Sequence, residues 1–221
     1  MLDLRPMPLP LAPEILAEML QAGVSTFGHW RLWGVCAPGI APLFPCPPVA
    51  GTAVTLALPG ADSVLLHETL DLLRPGDVLC IDRLGDARHA CVGGIVARAA
   101  QARGAAAIVV DGPVTDRAEL AALGLPIWCS GTSGQTTRRL GLGGRRNAPV
   151  CVGGALIEAG DAVICDADGV LCISPSDLPE TLKRMRAHQA REVLLHQALA
   201  RGETLDAAIK RLAPPRRQAE S

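Results

Sequence analysis

The stretch VVDGPVTDRAEL, residues 109–120, runs from an apolar segment into a turn that carries two carboxylates, Asp111 and Asp116. Acidic groups at such a junction can hold a divalent cation, orient a water or move a proton. The same positions also suit caps. Asp111 reads first as a turn-capping residue. Asp116 reads either as the N-cap or first-turn acid of the following helix, or as part of a site. Upstream, Gly93, Gly94, Ile95 and Val96 open a helix whose free backbone N–H groups could cradle an anion, and a plain glycine-rich helix start is the equal alternative. His67, His89, His188 and His196 do not cluster and read as structural or exposed, although His89 lies in the loop just before those glycines.

The bulk composition narrows the function classes. The chain has 221 residues, 49% of them hydrophobic, which is enough for one large domain with terminal extensions. Its 21 basic and 22 acidic residues leave a net charge of −1, so no global field draws it to nucleic acid or anionic membrane. Aromatics make up 2%, with no Tyr, against a base-stacking platform. The eight cysteines form no CxxC pair and lie mostly in apolar runs such as DVLCID and APVCVGG; they read as small buried hydrophobes in a reducing cytoplasm, not zinc ligands. The N-terminus lacks the basic-then-apolar pattern of a signal peptide, and no stretch has the length of a membrane span.

The elements that must carry these residues alternate. AGTAVTLAL (50–58), GDVLCID (76–82), AAAIVVDG (105–112) and LPIWCSG (125–131) predict strands. Between them, ADSVLLHETLDLL (61–73, capped by Asp62 or Ser63), GGIVARAAQARG (93–104) and TDRAELAALG (115–124, with a capping signal at Thr115 or Asp116) predict helices. That rhythm implies right-handed crossovers and a mostly parallel sheet. PEILAEMLQAG (13–23) predicts a helix after a Pro-rich arm, and residues 24–48 are irregular. Residues 148–173 predict antiparallel hairpins, in which EAGDAVICD echoes RPGDVLCID as a similar turn–strand unit. Residues 176–212 predict amphipathic helices broken near Gly202, and 213–221 a loose tail.

The order GTAVTL, RPGDVLCID, GG before a helix, AAAIVVDGPVTD, LPIWCSG, NAPVCVGG and AGDAVICDADGVLCI resembles one family: the regulators of ribonuclease activity A and the 4-hydroxy-4-methyl-2-oxoglutarate aldolases. The resemblance covers residues 14–205. It implies a swivelling α/β/β sandwich of the α/β class: an N-terminal arm (1–13), the main domain (14–175), C-terminal helices lent to a neighbouring subunit (176–212) and the tail. It also implies a homotrimer or homohexamer with interfacial sites. In the aldolase branch, Mg²⁺ or Mn²⁺ and an arginine hold a 2-oxo acid, and they stabilise the pyruvate enolate left when a C–C bond breaks.

The family pattern is an acidic residue, twenty intervening positions, then Arg-Asp. Here the Arg-Asp pair falls on Thr115 and Asp116 and the acidic position on Gly94, so the metal-associated aspartate is kept while its two chemical partners are absent. Thr115 cannot form a bidentate pair with a carboxylate. Arg117 is a conceivable replacement, although its helical direction turns it away from the Thr115 slot. Glu192 matches the acid that the family's C-terminal helix supplies, with a solvated helix charge as its alternative.

The resemblance therefore implies a divalent-metal-dependent C–C lyase, aldolase or decarboxylase, acting on a small 2-oxo acid with altered or weakened chemistry. Asp116 and Glu192 would act in catalysis, Asp116 would also bind metal, and Gly93, Gly94, Ile95, Val96 and Thr115 would bind substrate. The alternatives are a non-catalytic regulator that binds a protein partner, as a ribonuclease inhibitor does, or an enzyme with another substrate in the same pocket.

Overall fold

A computed structural model describes residues 2–213. Most of the tail expected at 213–221 lies outside the described residues, as does Met1 of the N-terminal arm. The chain divides into two compact units, Met1–Leu178 and Pro179–Ser221.

In chain order the elements are β1 (Leu2–Leu4), α1 (Pro13–Met19), α2 (Val24–Gly28), β2 (Ala41–Pro42), β3 (Val49–Ala57), α3 (Val64–Leu70), β4 (Asp77–Asp82) and α4 (Gly94–Ala102). They continue with β5 (Ala107–Asp111), α5 (Arg117–Leu123), β6 (Ile127–Cys129), β7 (Gly144–Arg146), β8 (Val150–Val152), β9 (Ala155–Ile157), β10 (Ala162–Asp166), β11 (Gly169–Ile173), α6 (Leu178–Ala200) and α7 (Leu205–Arg211).

Strands β3, β4, β5 and β6 pair in parallel, as the strand–helix rhythm predicts. Their apolar residues alternate between two cores. Leu79, Ile81, Ile108 and Val110 face a cluster that includes Leu66, Val96 and Leu120 of the three helices. Val78, Cys80, Ala107 and Val109 face a second cluster with Val152, Ile157 and Val163. Helices, sheet and a second β layer thus form an α/β/β sandwich. The second layer arises because β3 is long: its first half pairs antiparallel with β10, while its second half pairs with β7. The β10–β11 hairpin then folds over the sheet, where Trp128 Nε1 on β6 donates to the Asp166 carbonyl at 2.9 Å.

The two echoing sequence units share one turn chemistry. Asp77 Oδ2 accepts from Arg74 N at 2.8 Å, and Asp161 Oδ2 accepts from Glu158 N at 2.9 Å, so in each a carboxylate caps the residue three positions back before the strand begins. Three short strands escape the sequence reading. β1 in the Pro-rich arm pairs with β7, and β2 pairs with β6; none is long enough to show a period.

The second unit is helical. α6 and α7 flank Gly202, whose φ of 84° suits a glycine at the break, and Thr204 Oγ1 caps α7 by accepting from Ala207 N at 3.4 Å. Among the described residues no helix is long and apolar enough to cross a membrane.

Trp128 is fully buried, so Trp128→Phe removes a donor and leaves the Asp166 carbonyl without its partner. The expected cost is about 1–3 kcal/mol, read as a lower urea midpoint with an unchanged slope.

Candidate active site

The four parallel strands end at one edge, and the segments that leave them meet there. Residues 59–63 follow β3, residues 83–93 follow β4, residues 112–116 follow β5 and residues 130–142 follow β6. Isolated parallel bridges join them: Asp62 to Arg138, Ala90 to Thr136, and Val114 to both Val92 and Thr132. The carboxyl edge of a parallel sheet is where α/β proteins place ligands. A cavity of about 260 Å³ opens here, lined by residues from all four segments. A larger cavity of about 510 Å³ borders Arg31, Trp33 and Asp161 elsewhere in the same unit, but its Arg31 pairs with Asp177 at 3.2 Å and it lies away from the strand ends.

Gly93, Gly94, Ile95, Val96, Thr115 and Asp116, named from the sequence, all line the smaller cavity. Asp116 precedes α5 but does not cap it with its side chain. Its Oδ2 instead accepts from Gly94 N at 3.0 Å and so caps α4. The residue holds φ 56° and ψ 38°, a left-handed conformation that costs a non-glycine residue about 1 kcal/mol. Oδ1 makes only a long 3.4 Å contact with Thr115 Oγ1, which leaves it available.

The glycines answer to close neighbours. A Cβ at Gly93 would lie 2.7 Å from Asp116 Oδ2 and 2.8 Å from Thr115 Cγ2. A Cβ at Gly94 would fall on the Glu119 carboxylate. Glu119 therefore occupies the start of any side chain at the position where the resemblance expects an acid, and Arg98 donates to its Oε1 from Nε and Nη2, both at 3.1 Å. Sequence spacing could not reveal this pairing across two helices.

The remaining expectations divide. Asp111 does not cap its own turn: its Oδ2 accepts from Gly153 N at 3.1 Å and ties β5 to the β8–β9 turn. Arg117 is exposed at the start of α5 and is not among the lining residues. His89 Nδ1 lies 2.8 Å from Asp86 Oδ2, also outside the lining. Glu192 lies in the helical unit, its Oε1 3.3 Å from His188 Nε2, whereas the cavity lining comes wholly from the first unit. His196 lies on the same helix, α6.

The structure adds Ser63, His67, Cys91, Thr136, Thr137, Arg138 and Arg139 to the lining. Burial pushes the Cys91 thiol up to about 11 against the opposing pull of the Arg83 guanidinium, so it is not a thiolate nucleophile near neutral pH. Arg83 is fully buried behind it; Nη2 donates to the Gly60 carbonyl and lies 3.2 Å from Asp86 Oδ2, while Nε and Nη1 have no hydrogen-bond acceptor among the described residues.

Asp62 clamps these segments together. Its buried carboxylate accepts from Ser63 N at 2.8 Å, Val64 N at 3.1 Å, Leu140 N at 3.0 Å and Leu142 N at 2.6 Å. Burial pushes the carboxyl up, but the backbone donors of Val64, Leu140, Leu142 and Gly141 together outweigh it and hold the group below its ordinary 3.8.

The profile of the RraA-like family, Aldolase/RraA, matches residues 27–172. A relative from Halalkalibacterium halodurans, provisionally named a 4-hydroxy-4-methyl-2-oxoglutarate aldolase, is 33% identical over 152 residues, 69% of this chain and 72% of its own. A Paraburkholderia phytofirmans protein with the same provisional name is 40% identical over 125 residues, 57% of this chain and 75% of its own. Among solved structures, Streptomyces coelicolor RraAS2, described as an unusual member of the RNase ES inhibitor RraA family, superposes with a TM-score of 0.74 at 27% identity, covering 83% of this chain and 96% of that one. The RNA-processing inhibitor RraA from Thermus thermophilis gives 0.63 at 25% identity, covering 69% and 92%.

Two measurements test this geometry. Gly94→Ala should displace Glu119 and release Arg98, so Gly94→Ala and Glu119→Ala should couple by about 0.5–1 kcal/mol in a double-mutant cycle; additive effects would show that the two positions do not compete. Asp62→Asn sets an amide NH₂ against backbone donors and should cost about 2–3 kcal/mol near neutral pH. Because the folded-state pKa is depressed, the clamp's contribution is complete above about 3.8 and is lost as pH falls through the folded value, so the gap between variant and wild type should narrow in acid. Urea melts across pH read it, and a constant gap would refute the clamp.

The matched profile, the identity to these relatives and the superposed fold together establish that this chain belongs to the RraA-like (Aldolase/RraA) family.

Proposed function

We propose that this protein is a divalent-metal-dependent C–C lyase, of the aldolase or decarboxylase type, acting on a small 2-oxo acid with chemistry altered at positions 94 and 115. The observation that carries this reading is Asp116: a strained carboxylate with one oxygen anchored on the start of α4 and the other available in a cavity at the strand ends. The aldolase names of the relatives support it.

A single monodentate carboxylate suits Mg²⁺ or Mn²⁺, which take few protein ligands and complete their shell with water and substrate oxygens. Asp116 Oδ1 would hold the cation. When bound, the cation would supply Lewis-acid stabilisation of the negative charge left on a pyruvate-type enolate. The chain's own groups do the rest. Asp116 Oδ2 uses up the Gly94 N–H, so Ile95 and Val96 are the next first-turn donors that could receive a substrate carboxylate. Thr115 offers a hydroxyl in place of a guanidinium, a weaker, uncharged contact that binds the acid less firmly. Glu192 is assigned a proton-handling role contributed by a neighbouring copy, in a trimer or hexamer in the cytoplasm.

A second reading, a non-catalytic regulator that binds a protein partner, is favoured by the inhibitor names of two structural relatives and by the missing Arg and acid.

Purified protein with Mg²⁺ or Mn²⁺ should release pyruvate from oxaloacetate or from an aldol adduct of pyruvate. Asp116→Asn should lower the rate about a hundredfold and weaken Mn²⁺ binding. Rescue must respect Glu119: Thr115→Arg is to be tested alone and combined with Gly94→Glu and Glu119→Ala. No pyruvate from any of these, together with no Mn²⁺ binding, would favour the regulator.

A further inference from the structure

The cavity at the strand ends holds cationic side chains with no assigned task. Among the described residues Asp116 is the one acid in its lining, set against Arg138 and Arg139. Six other arginines of the first unit, Arg5, Arg31, Arg74, Arg83, Arg98 and Arg103, each form an ion pair. Arg138 and Arg139 form none among the described residues.

Their backbone, by contrast, is held firmly. Arg138 N donates to the Ala61 carbonyl at 2.7 Å, and the Arg138 carbonyl accepts from Ser63 N at 3.0 Å and Ser63 Oγ at 3.2 Å. On one side Thr137 N donates to the Ala90 carbonyl at 3.2 Å and Ala90 N to the Gln135 carbonyl at 2.7 Å. On the other, the Asp62 clamp takes Leu140 and Leu142. Two long cationic side chains thus spring from a fixed segment at the rim of a cavity. A ligand that balances this lining is an anion.

We propose that Arg138 and Arg139 are the anion-recognition residues of this cavity: their guanidinium groups, carried by the segment after β6, supply the charge that Thr115 does not. Guanidinium suits a planar carboxylate because its donors form a fork that matches both oxygens. The identity of that carboxylate as part of a 2-oxo acid rests on the lyase reading; the binding of an anion there does not. The arrangement also explains how a member of this family can keep Asp116 with a hydroxyl beside it: the cation reaches the ligand from another segment.

Calorimetric titration of the full-length protein tests this with two probes, oxalate in the presence of Mn²⁺ as a planar mimic of a pyruvate enolate, and inorganic phosphate without metal. Wild type should bind at least one. The double substitution Arg138→Gln, Arg139→Gln should weaken that binding about tenfold or more, the double Lys variant should retain part of it, and Arg103→Gln should leave it unchanged. Both arginines are exposed, so an unaltered thermal midpoint will confirm that the variants fold. Binding that is equal in wild type and the double Gln variant overturns the proposal, as does a wild type that binds neither probe. Arginine-dependent binding without pyruvate release would uphold the proposal and sink the lyase reading. Pyruvate release with arginine-independent binding would do the reverse.

Discussion

Buried carboxylates that accept backbone N–H bonds hold this fold in register. A parallel sheet must gather its connecting segments at one edge, and segments packed together carry N–H groups that strands and helices do not satisfy. Here side-chain oxygens meet them. Asp62 joins the segment after β3 to the one after β6, and Asp82 Oδ2 takes Cys151 N at 3.1 Å while Asp111 Oδ2 takes Gly153 N. Asp82 and Asp111 are register partners on β4 and β5, so one step of the sheet pins the β8–β9 hairpin at two points. Asp166 does the same in the second β layer, taking Val24 N at 2.7 Å and Asp168 N at 2.8 Å. In each case a backbone donor left unmatched would cost more than the bond gains.

Against that background Asp116 stands out by its strain. Among the described residues the other aspartates settle into ordinary backbone conformations, whereas Asp116 is one of three non-glycine residues with positive φ, alongside Leu84 and Asn147. Its position is fixed from outside: Thr115 N donates to the Val92 carbonyl at 2.9 Å, and Leu120 N returns to the Asp116 carbonyl at 2.9 Å. The left-handed turn swings the carboxylate away from its own helix and onto α4. One side chain thereby couples two helices that the parallel strands β4 and β5 deliver to the same edge.

Much of the scaffold was legible in the sequence. The apolar runs of β3 to β6 form largely buried strands with helices between them, the pattern of a parallel sheet covered on both faces. That Gly93 to Val96 and Thr115-Asp116 come together was also legible, because they follow successive strands and must meet at their carboxyl ends. What could not be read was anything set by contact across elements. Asp111 carries a turn-like local sequence, yet its partner Gly153 is 42 residues away. The GTSGQTTRRLGLGG segment has no period and no apolar face, so nothing in it announces that Asp62 holds it against the cavity with two arginines on it. Cys151 sits in a strand-like run but faces outward, unlike the buried cysteines Cys80 and Cys165, because a two-stranded hairpin buries only one side.

The residues at positions 94 and 115 are best understood through their neighbours. Gly94 is the smallest residue at a point where the Glu119 carboxylate lies close, and Glu119 is held there by Arg98 from the next turn of α4. A side chain returned to position 94 would meet that carboxylate before it reached the cavity. At position 115, Thr Cγ2 lies against Gly93, so even this short side chain fills the space beside the start of α4. Positions 94 and 115 therefore cannot be judged one at a time: Gly94 is tied to Glu119 and Arg98, and Thr115 to Gly93 and Asp116. A network of this kind changes as a unit, and a side chain added at position 94 alone would enter a place already taken.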